Sequence, residues 1–272
     1  MTLFTDLALA RRLELHEGYG IATSTTMLKE LWPESGAMFE RVAGAYAIFA
    51  GVGSPISRTI GLGLNGAVTR AEIEQVEEFY RSRQAMAQID LCPLADASLK
   101  SLLNERGYQV GEFNHVWVQP LARYAAQEGA TAAGVSIRET KPEDADAWIR
   151  AVSGGFAERD DLTEDDLQVA TVFFHEPETR CFLSLVDEEA AGGGAMFIHE
   201  EVAAFFSGST LLRARGRGAQ TALLHARLQA AREAGCELAL IKTLPGNASQ
   251  RNVQRAGFQL AYTKVMMKRE WT

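Results

Sequence analysis

The sequence predicts an α+β (mixed α/β) protein built from two similar halves. Three observations lead there. Residues 181–186, 190–199 and 202–210 are apolar runs joined by tight turns, the pattern of an antiparallel meander. The last of these runs feeds a short loop of arginine and glycine, which opens a helix with apolar residues at helical spacing. The segment PLADASLKSLLNERGY from Pro93 parallels LPGNASQRNVQRAGF from Leu244, so the first half reads as a worn copy of the second.

Taken in order, residues 3–18 read as a helix, and residues 26–42 carry a second helical pattern interrupted at Pro33. Residues 45–50 and 58–64 are strand candidates, the second rich in glycine. A helix at 69–83 starts with Thr69 and Glu72 as a capping box and buries Ile73, Val76, Phe79 and Tyr80. A strand at 87–92 stops at Pro93, and a helix at 97–105 closes on Gly107. Residues 108–118 read as a strand. Residues 121–134, poor in large apolar side chains, read as a linker, which gives domains at 1–120 and 135–272. The second half opens with a strand at 135–138 and a helix from Pro142 to about residue 153, with another helix at 163–174. After the meander and the arginine loop come a helix to Ala234, a strand at 237–243 and a helix at 247–256 closed by Gly257. Residues 258–263 and 264–269 are expected to close the chain as a strand pair.

Composition narrows the function classes. A chain of 272 residues with 47% hydrophobic and 23% charged residues has the make-up of a globular protein. A net charge of −8 argues against a general binder of nucleic acid or anionic membrane. No apolar run is long enough to span a bilayer, and the amino terminus reads as an amphipathic helix rather than a signal peptide. Cys92, Cys181 and Cys236 lack metal spacing and read as thiols in a reducing cytoplasm; the five histidines form no HxxxH or HxH pair, so no metal site is expected.

The stretch from Thr210 to Leu224, TLLRARGRGAQTALL, carries the chemistry. Arg213, Arg215 and Arg217 alternate with Gly216 and Gly218 just before a helix. The first N–H groups of a helix lack internal partners and sit at its positive end. Glycines let an anion approach them, and arginines add forked donors. A helix N-terminus with merely solvated arginines is the plainer reading of the same residues.

The string RGRGAQTALL resembles the acetyl-CoA loop of the GNAT acetyltransferase superfamily, written as Gln or Arg, two residues, Gly, one residue, then Gly or Ala. Counting from Arg213 the match is literal at Gly216 and Gly218; counting from Arg215, Gly218 fits and Gln220 replaces the last small residue. The second register places Ala222-Leu223-Leu224 where the family's helix continues. VSIRETKPEDADAW resembles the family's first strand and helix, and SQRNVQRAGF resembles its second signature, a helix ending in Gly-Phe. The resemblance implies two GNAT-like domains, each a mixed, largely antiparallel sheet flanked by helices, the first of them degenerate. It implies acetyl-CoA as cosubstrate. Backbone groups of Ser209 and Thr210 would pair with the pantetheine. Arg215, Gly216, Arg217, Gly218, Ala219 and Gln220 would hold the pyrophosphate, and Asn247, Ser249 and Asn252 would lie along the arm. Asn247 reads equally as a helix N-cap. The family's tyrosine, four residues before the second-signature glycine, is Val253 here. No catalytic side chain is assigned; Glu200, Glu201, Tyr262 and the carboxylate of Thr272 are weighed without preference, and backbone N–H groups of the splayed strand are expected to meet the oxyanion.

The resulting expectation is an acetyl-CoA-dependent N-acetyltransferase. Two-domain relatives favour a small-molecule amine over a protein as acceptor, and a homodimer stays open. A non-catalytic acyl-CoA sensing module is the alternative. Two further readings are a dimerisation scaffold and a nucleotide-binding oxidoreductase on Gly61, Gly63 and Gly66, which spell G-x-G-x-x-G with Asp90 downstream.

Overall fold

The computed structural model describes residues 4–124 and 132–271. Most of the expected linker, residues 125–131, and Thr272 lie outside the described residues. The elements are α1 (Leu7–Leu31), β1 (Met38–Val42), β2 (Ala45–Phe49), β3 (Thr59–Ile60), α2 (Arg70–Arg81), β4 (Ala87–Leu91), α3 (Ala97–Glu105), β5 (Gln109–Pro120) and β6 (Val135–Glu139). They continue with α4 (Ala145–Ala157), α5 (Glu164–His175), β7 (Thr179–Val186), β8 (Glu189–His199), β9 (Val202–Thr210), α6 (Ala219–Glu233), β10 (Leu238–Thr243), α7 (Ala248–Arg255) and β11 (Gln259–Arg269). No described helix is long and apolar enough to cross a membrane.

The chain forms two units. The first comprises Met1–Val116, Thr243–Pro245 and Leu260–Thr272; the second comprises Trp117–Lys242 and Gly246–Gln259. The last strand of each half is therefore divided between the two units. The end of β5 counts with the second unit, and β11 from Leu260 on counts with the first, where it pairs antiparallel to β4 with Met267 opposite Ile89. The two halves share the order helix, strand, helix, strand: α2-β4-α3-β5 and α6-β10-α7-β11.

Within the first unit the strands run β1-β2-β3-β4-β11-β5. α2 begins as its capping box dictates: Thr69 accepts from the Glu72 N–H, and Glu72 accepts from the Thr69 N–H. Ile73, Val76, Phe79 and Tyr80 are buried, as their spacing predicts. Three expectations fail here. α1 runs on to Leu31 rather than ending near residue 18, and within it Thr23, Ser24, Thr25 and Thr26 donate their hydroxyls to carbonyls three or four residues back. Gly18 lets this helix press onto Tyr46: a Cβ there would lie 2.6 Å from the ring. Residues 38–42 form strand β1 rather than helix, since Pro33 ends the helical segment and the turn at Ala43-Gly44 folds β1 onto β2. Gln259–Arg269 make one strand, not a pair; nothing in Ala261-Tyr262-Thr263-Lys264 supplies a turn.

Lys264 ties that strand to α1 and β4. Its ammonium is fully buried and lies 3.1 Å from Glu14, 2.8 Å from Glu17 and 2.9 Å from Asp90. Arg58 stands 3.6 Å from Asp90, and the Tyr262 hydroxyl donates to Glu14 at 2.8 Å. Burial works against the charge on Lys264, but Asp90, Glu14 and Glu17 outweigh it and hold the ammonium protonated. Burial, with Glu17 and Asp90 adding to it, keeps Glu14 above the usual carboxylate range despite Lys264.

The second unit runs β5-β10-β9-β8-β7-β6. β6 to β9 are antiparallel neighbours, and β10 joins β9 in parallel. α5 starts with a Thr163–Asp166 capping box. One core cluster joins Leu223, Leu224 and Leu228 of α6 with Phe205, Ala239, Val253 and Phe258.

Replacing Lys264 with Met leaves three carboxylates packed together without their cation. The variant is expected to lose about 3–5 kcal/mol of unfolding free energy, read as a lower urea midpoint by circular dichroism.

Candidate functional site

The site grows out of three consecutive glycines in β8. A Cβ on Gly192 would lie 2.3 Å from the Ser209 carbonyl oxygen, one on Gly193 2.7 Å from the Trp148 indole nitrogen, and one on Gly194 3.0 Å from the Arg227 guanidinium. Side-chain-free backbone here lets β9, α4 and α6 all close on the same strand. Opposite these glycines the register shifts: Gly193 faces Ser209, but Ala195 faces Phe206. β9 thus holds an extra residue at Ser207–Gly208, and Ser207 sits at φ +51°, an uncommon backbone for a residue with a side chain.

The bulge coincides with a parting of strands. The β9–β10 ladder pairs Val202 with Leu238 through Phe205 with Ile241 and ends there. Beyond it β9 continues to Thr210 on its β8 side, leaving the β10-facing edge of residues 207–210 open.

After β9, a 3-10 turn at Leu212–Ala214 leads into the loop and α6. Gly218 precedes the helix at φ +87°, a conformation that only glycine adopts without strain, and no side chain caps the first turn. Around Gly216 a Cβ would meet nothing within 4 Å. The three arginines are held outward by acids. Arg213 lies 3.8 Å from Asp160, Arg215 bonds Glu158 at 2.8 Å, and Arg217 bonds Asp187 at 3.1 Å, all exposed pairs of small net worth. Arg215 also donates to the carbonyls of Thr210 and Gly155, each at 3.2 Å, so it straps the end of β9 to α4.

The other residues named from the sequence fall as follows. Ser209 is buried and donates to the Val152 carbonyl at 2.9 Å, leaving only its backbone for a ligand. Gln220 donates to the Thr210 hydroxyl at 2.9 Å. Ala219 is buried at the start of α6. Asn247 caps α7, accepting from the Gln250 N–H at 2.8 Å. Asn252 is half-buried in the middle of α7. Val253 is a core residue, Glu200 and Glu201 form the exposed β8–β9 turn, and Tyr262 belongs to the first unit.

Arg227 went unread in the sequence. It follows Leu223 by four residues and Ala219 by eight, so it falls on the buried stripe of α6, and that position was the available signal. It is 1% exposed. One guanidinium nitrogen donates to the carbonyls of Ala195 at 3.1 Å and Phe206 at 3.3 Å, while Nε reaches Leu223 at 3.4 Å and the group lies 5.0 Å from the Phe205 ring centre. Burial lowers its pKa to about 9, so it stays charged at neutral pH.

Among its described residues the first unit offers no such site at the matching place. The N-terminus of α2 is already filled by the Glu72 carboxylate, held below the usual range by the Thr69 backbone and hydroxyl. Gly61 and Gly63 admit Leu15, Ala95 and Leu99 rather than a phosphate, and Asp90 is engaged with Lys264. The acid of the expected dinucleotide pattern, Asp90, is thus not free to bind a ribose.

Residues 145–258 match the Acetyltransferase (GNAT) family model. Solved structures share the fold. A GCN5-related N-acetyltransferase from Kribbella flavida is 18% identical with a TM-score of 0.68, covering 94% of this chain and 96% of its own. One from Sphaerobacter thermophilus is 18% identical with a TM-score of 0.61, covering 86% and 76%. A tandem GNAT protein from the clavulanic acid biosynthesis pathway is 17% identical with a TM-score of 0.60, covering 83% and 78%. No curated protein matches the chain.

Two glycine substitutions separate packing from backbone cost. Gly192→Ala must push β8 off β9 and should lose at least about 1–3 kcal/mol. Gly216→Ala meets open space and should lose only the left-handed backbone term, about 1–2 kcal/mol. Thermal melts of both variants, measured with the wild type, check the order.

Proposed function

We propose that the second unit binds acetyl-CoA and transfers its acetyl group to an amine, with a small molecule favoured as acceptor. The observation that carries this is the uncapped N-terminus of α6, entered through Gly216 and Gly218, beside the open edge of β9. The fit is physical. Unpaired N–H groups and nearby guanidinium groups suit a pyrophosphate. The exposed edge at residues 207–210 suits an extended amide chain such as pantetheine. The ion pairs of Arg215 and Arg217 are surface pairs that a phosphate can replace.

In the reaction, the amine nitrogen bonds to the thioester carbon, the carbon–sulfur bond breaks, and the proton lost by nitrogen ends on the coenzyme A sulfur by way of solvent. The chain's part is to fix the thioester along β9 and to meet the negative charge that develops on its oxygen. Backbone N–H at the bulge can do this without a dedicated acid, which Val253 does not provide. The described residues of the first unit show no matching anion site. The three cysteines are buried free thiols, in keeping with assignment to the cytoplasm.

Binding without transfer is the second reading, favoured by the buried Val253 in place of an acid. Release of free coenzyme A thiol across a panel of amines separates the two.

Calorimetric titration of acetyl-CoA tests the site itself. Wild type should bind in the micromolar range. The Arg215→Ala, Arg217→Ala double variant should bind about 10- to 100-fold more weakly, the loss of one or two charge-assisted contacts. Absence of binding to the folded wild type would sink the proposal.

A further inference from the structure

Arg227 is a cation placed where a protein interior least tolerates one. Removing a guanidinium from water is costly, and a buried charge is ordinarily paired with an opposite one. Its partners here are carbonyl oxygens and an aromatic ring. Glycines make the space: Cβ atoms at Gly194 and Gly208 would lie 3.0 and 3.4 Å from its nitrogens.

The bonds fix the direction of one peptide. A single nitrogen lies within 3.3 Å of both the Ala195 and Phe206 oxygens. Those residues face each other across β8 and β9. Both carbonyls must therefore point into the strip between the two strands, since outward-pointing oxygens would be too far apart to share one donor. The peptide from Phe206 to Ser207 is trans, as are all those described. Its N–H, on Ser207, is consequently directed away from β8, onto the edge that β10 leaves after Ile241.

We propose that Arg227 is a positioning residue for acyl transfer: its guanidinium holds the bulge and polarises the Phe206–Ser207 peptide, so that the Ser207 N–H donates to the thioester oxygen as negative charge builds there. The inference rests on the acetyl-CoA reading above. A hydrogen bond accepted by a carbonyl strengthens the donor at the other end of the same peptide. A fixed cation behind that peptide acts through a medium of low polarisability, where its field is least screened. The donor is aimed before the substrate arrives, which is what makes such a dipole effective.

The test uses acetyl-CoA carrying a carbon-13 label in the acetyl carbonyl, bound to the full chain, and reads the thioester carbonyl stretch by isotope-edited infrared difference spectroscopy. Two variants separate charge from scaffolding. Arg227→Lys keeps the charge; Arg227→Gln keeps a donor for the carbonyls but is neutral. Near-ultraviolet circular dichroism establishes that each is folded, and calorimetry measures binding.

In wild type the bound carbonyl should absorb at lower frequency than in water. Arg227→Lys should keep most of that shift and Arg227→Gln should lose it, with acetyl-CoA affinity within about threefold of wild type, under 1 kcal/mol. For any acceptor that is turned over, kcat should fall in Arg227→Gln with KM unchanged, by less than the roughly 100- to 1000-fold loss of a whole oxyanion donor. A wild-type carbonyl without the shift, or an equal shift in Arg227→Gln, overturns the role of Arg227. Failure of wild type to bind acetyl-CoA at all overturns the underlying function instead. If neither variant folds, Gly194→Ala takes their place, because a methyl group 3.0 Å from the guanidinium forces it to move; a changed carbonyl shift supports the proposal and an unchanged one overturns it.

Discussion

The departure of β9 from β10 after Phe205 and Ile241 is the constraint on which the second unit depends. A sheet exists to pair its backbone groups, and an unpaired stretch of strand is a cost unless something else meets those groups. Three features of the chain maintain it. The extra residue at Ser207–Gly208 turns β9 out of register, the glycines of β8 let neighbouring elements close behind it, and the strap from Arg215 to Thr210 and Gly155 holds its far end. The uncapped start of α6 then lies immediately after the open edge. An extended ligand with an anionic end matches both parts in order.

The two units bury charge in opposite ways. In the first, Lys264 is met by three carboxylates, and the cluster ties α1, β4 and β11 together. In the second, Arg227 is met by neutral carbonyls. The first arrangement neutralises its cation locally. The second leaves a field that reaches the neighbouring peptides. A charge kept for structure needs a counterion, whereas a charge whose field acts elsewhere is better without one.

Local chemistry was the legible part of the fold. The capping box at Thr69 and the closures at Gly107 and Gly257 are complete within a few residues, and the helices they bound lie where those residues place them. The arginine loop was legible for the same reason: its glycines and the start of α6 are adjacent in sequence. What could not be read depends on distant partners. Gly18 looks like a helix end until Tyr46 is seen packed against it. Tyr262 and Lys264 look like a turn until Glu14 is found beside them. Ser209 turns its hydroxyl to Val152, and Arg227 finds its carbonyls on two strands. In each case a side chain on an apolar stripe or in an apolar strand has its explanation many residues away.

The position of β11 bears on how the chain comes off the ribosome. Lys264 and Glu14 are 250 residues apart, and at typical elongation rates of 5–20 residues per second that interval lasts roughly 10–50 s. Through that time α1, β4 and the acids they carry wait for the strand and the cation that complete them. The amino-terminal half is thus made first and finished last, and nascent-chain chaperones have their longest access to it, not to the half made later.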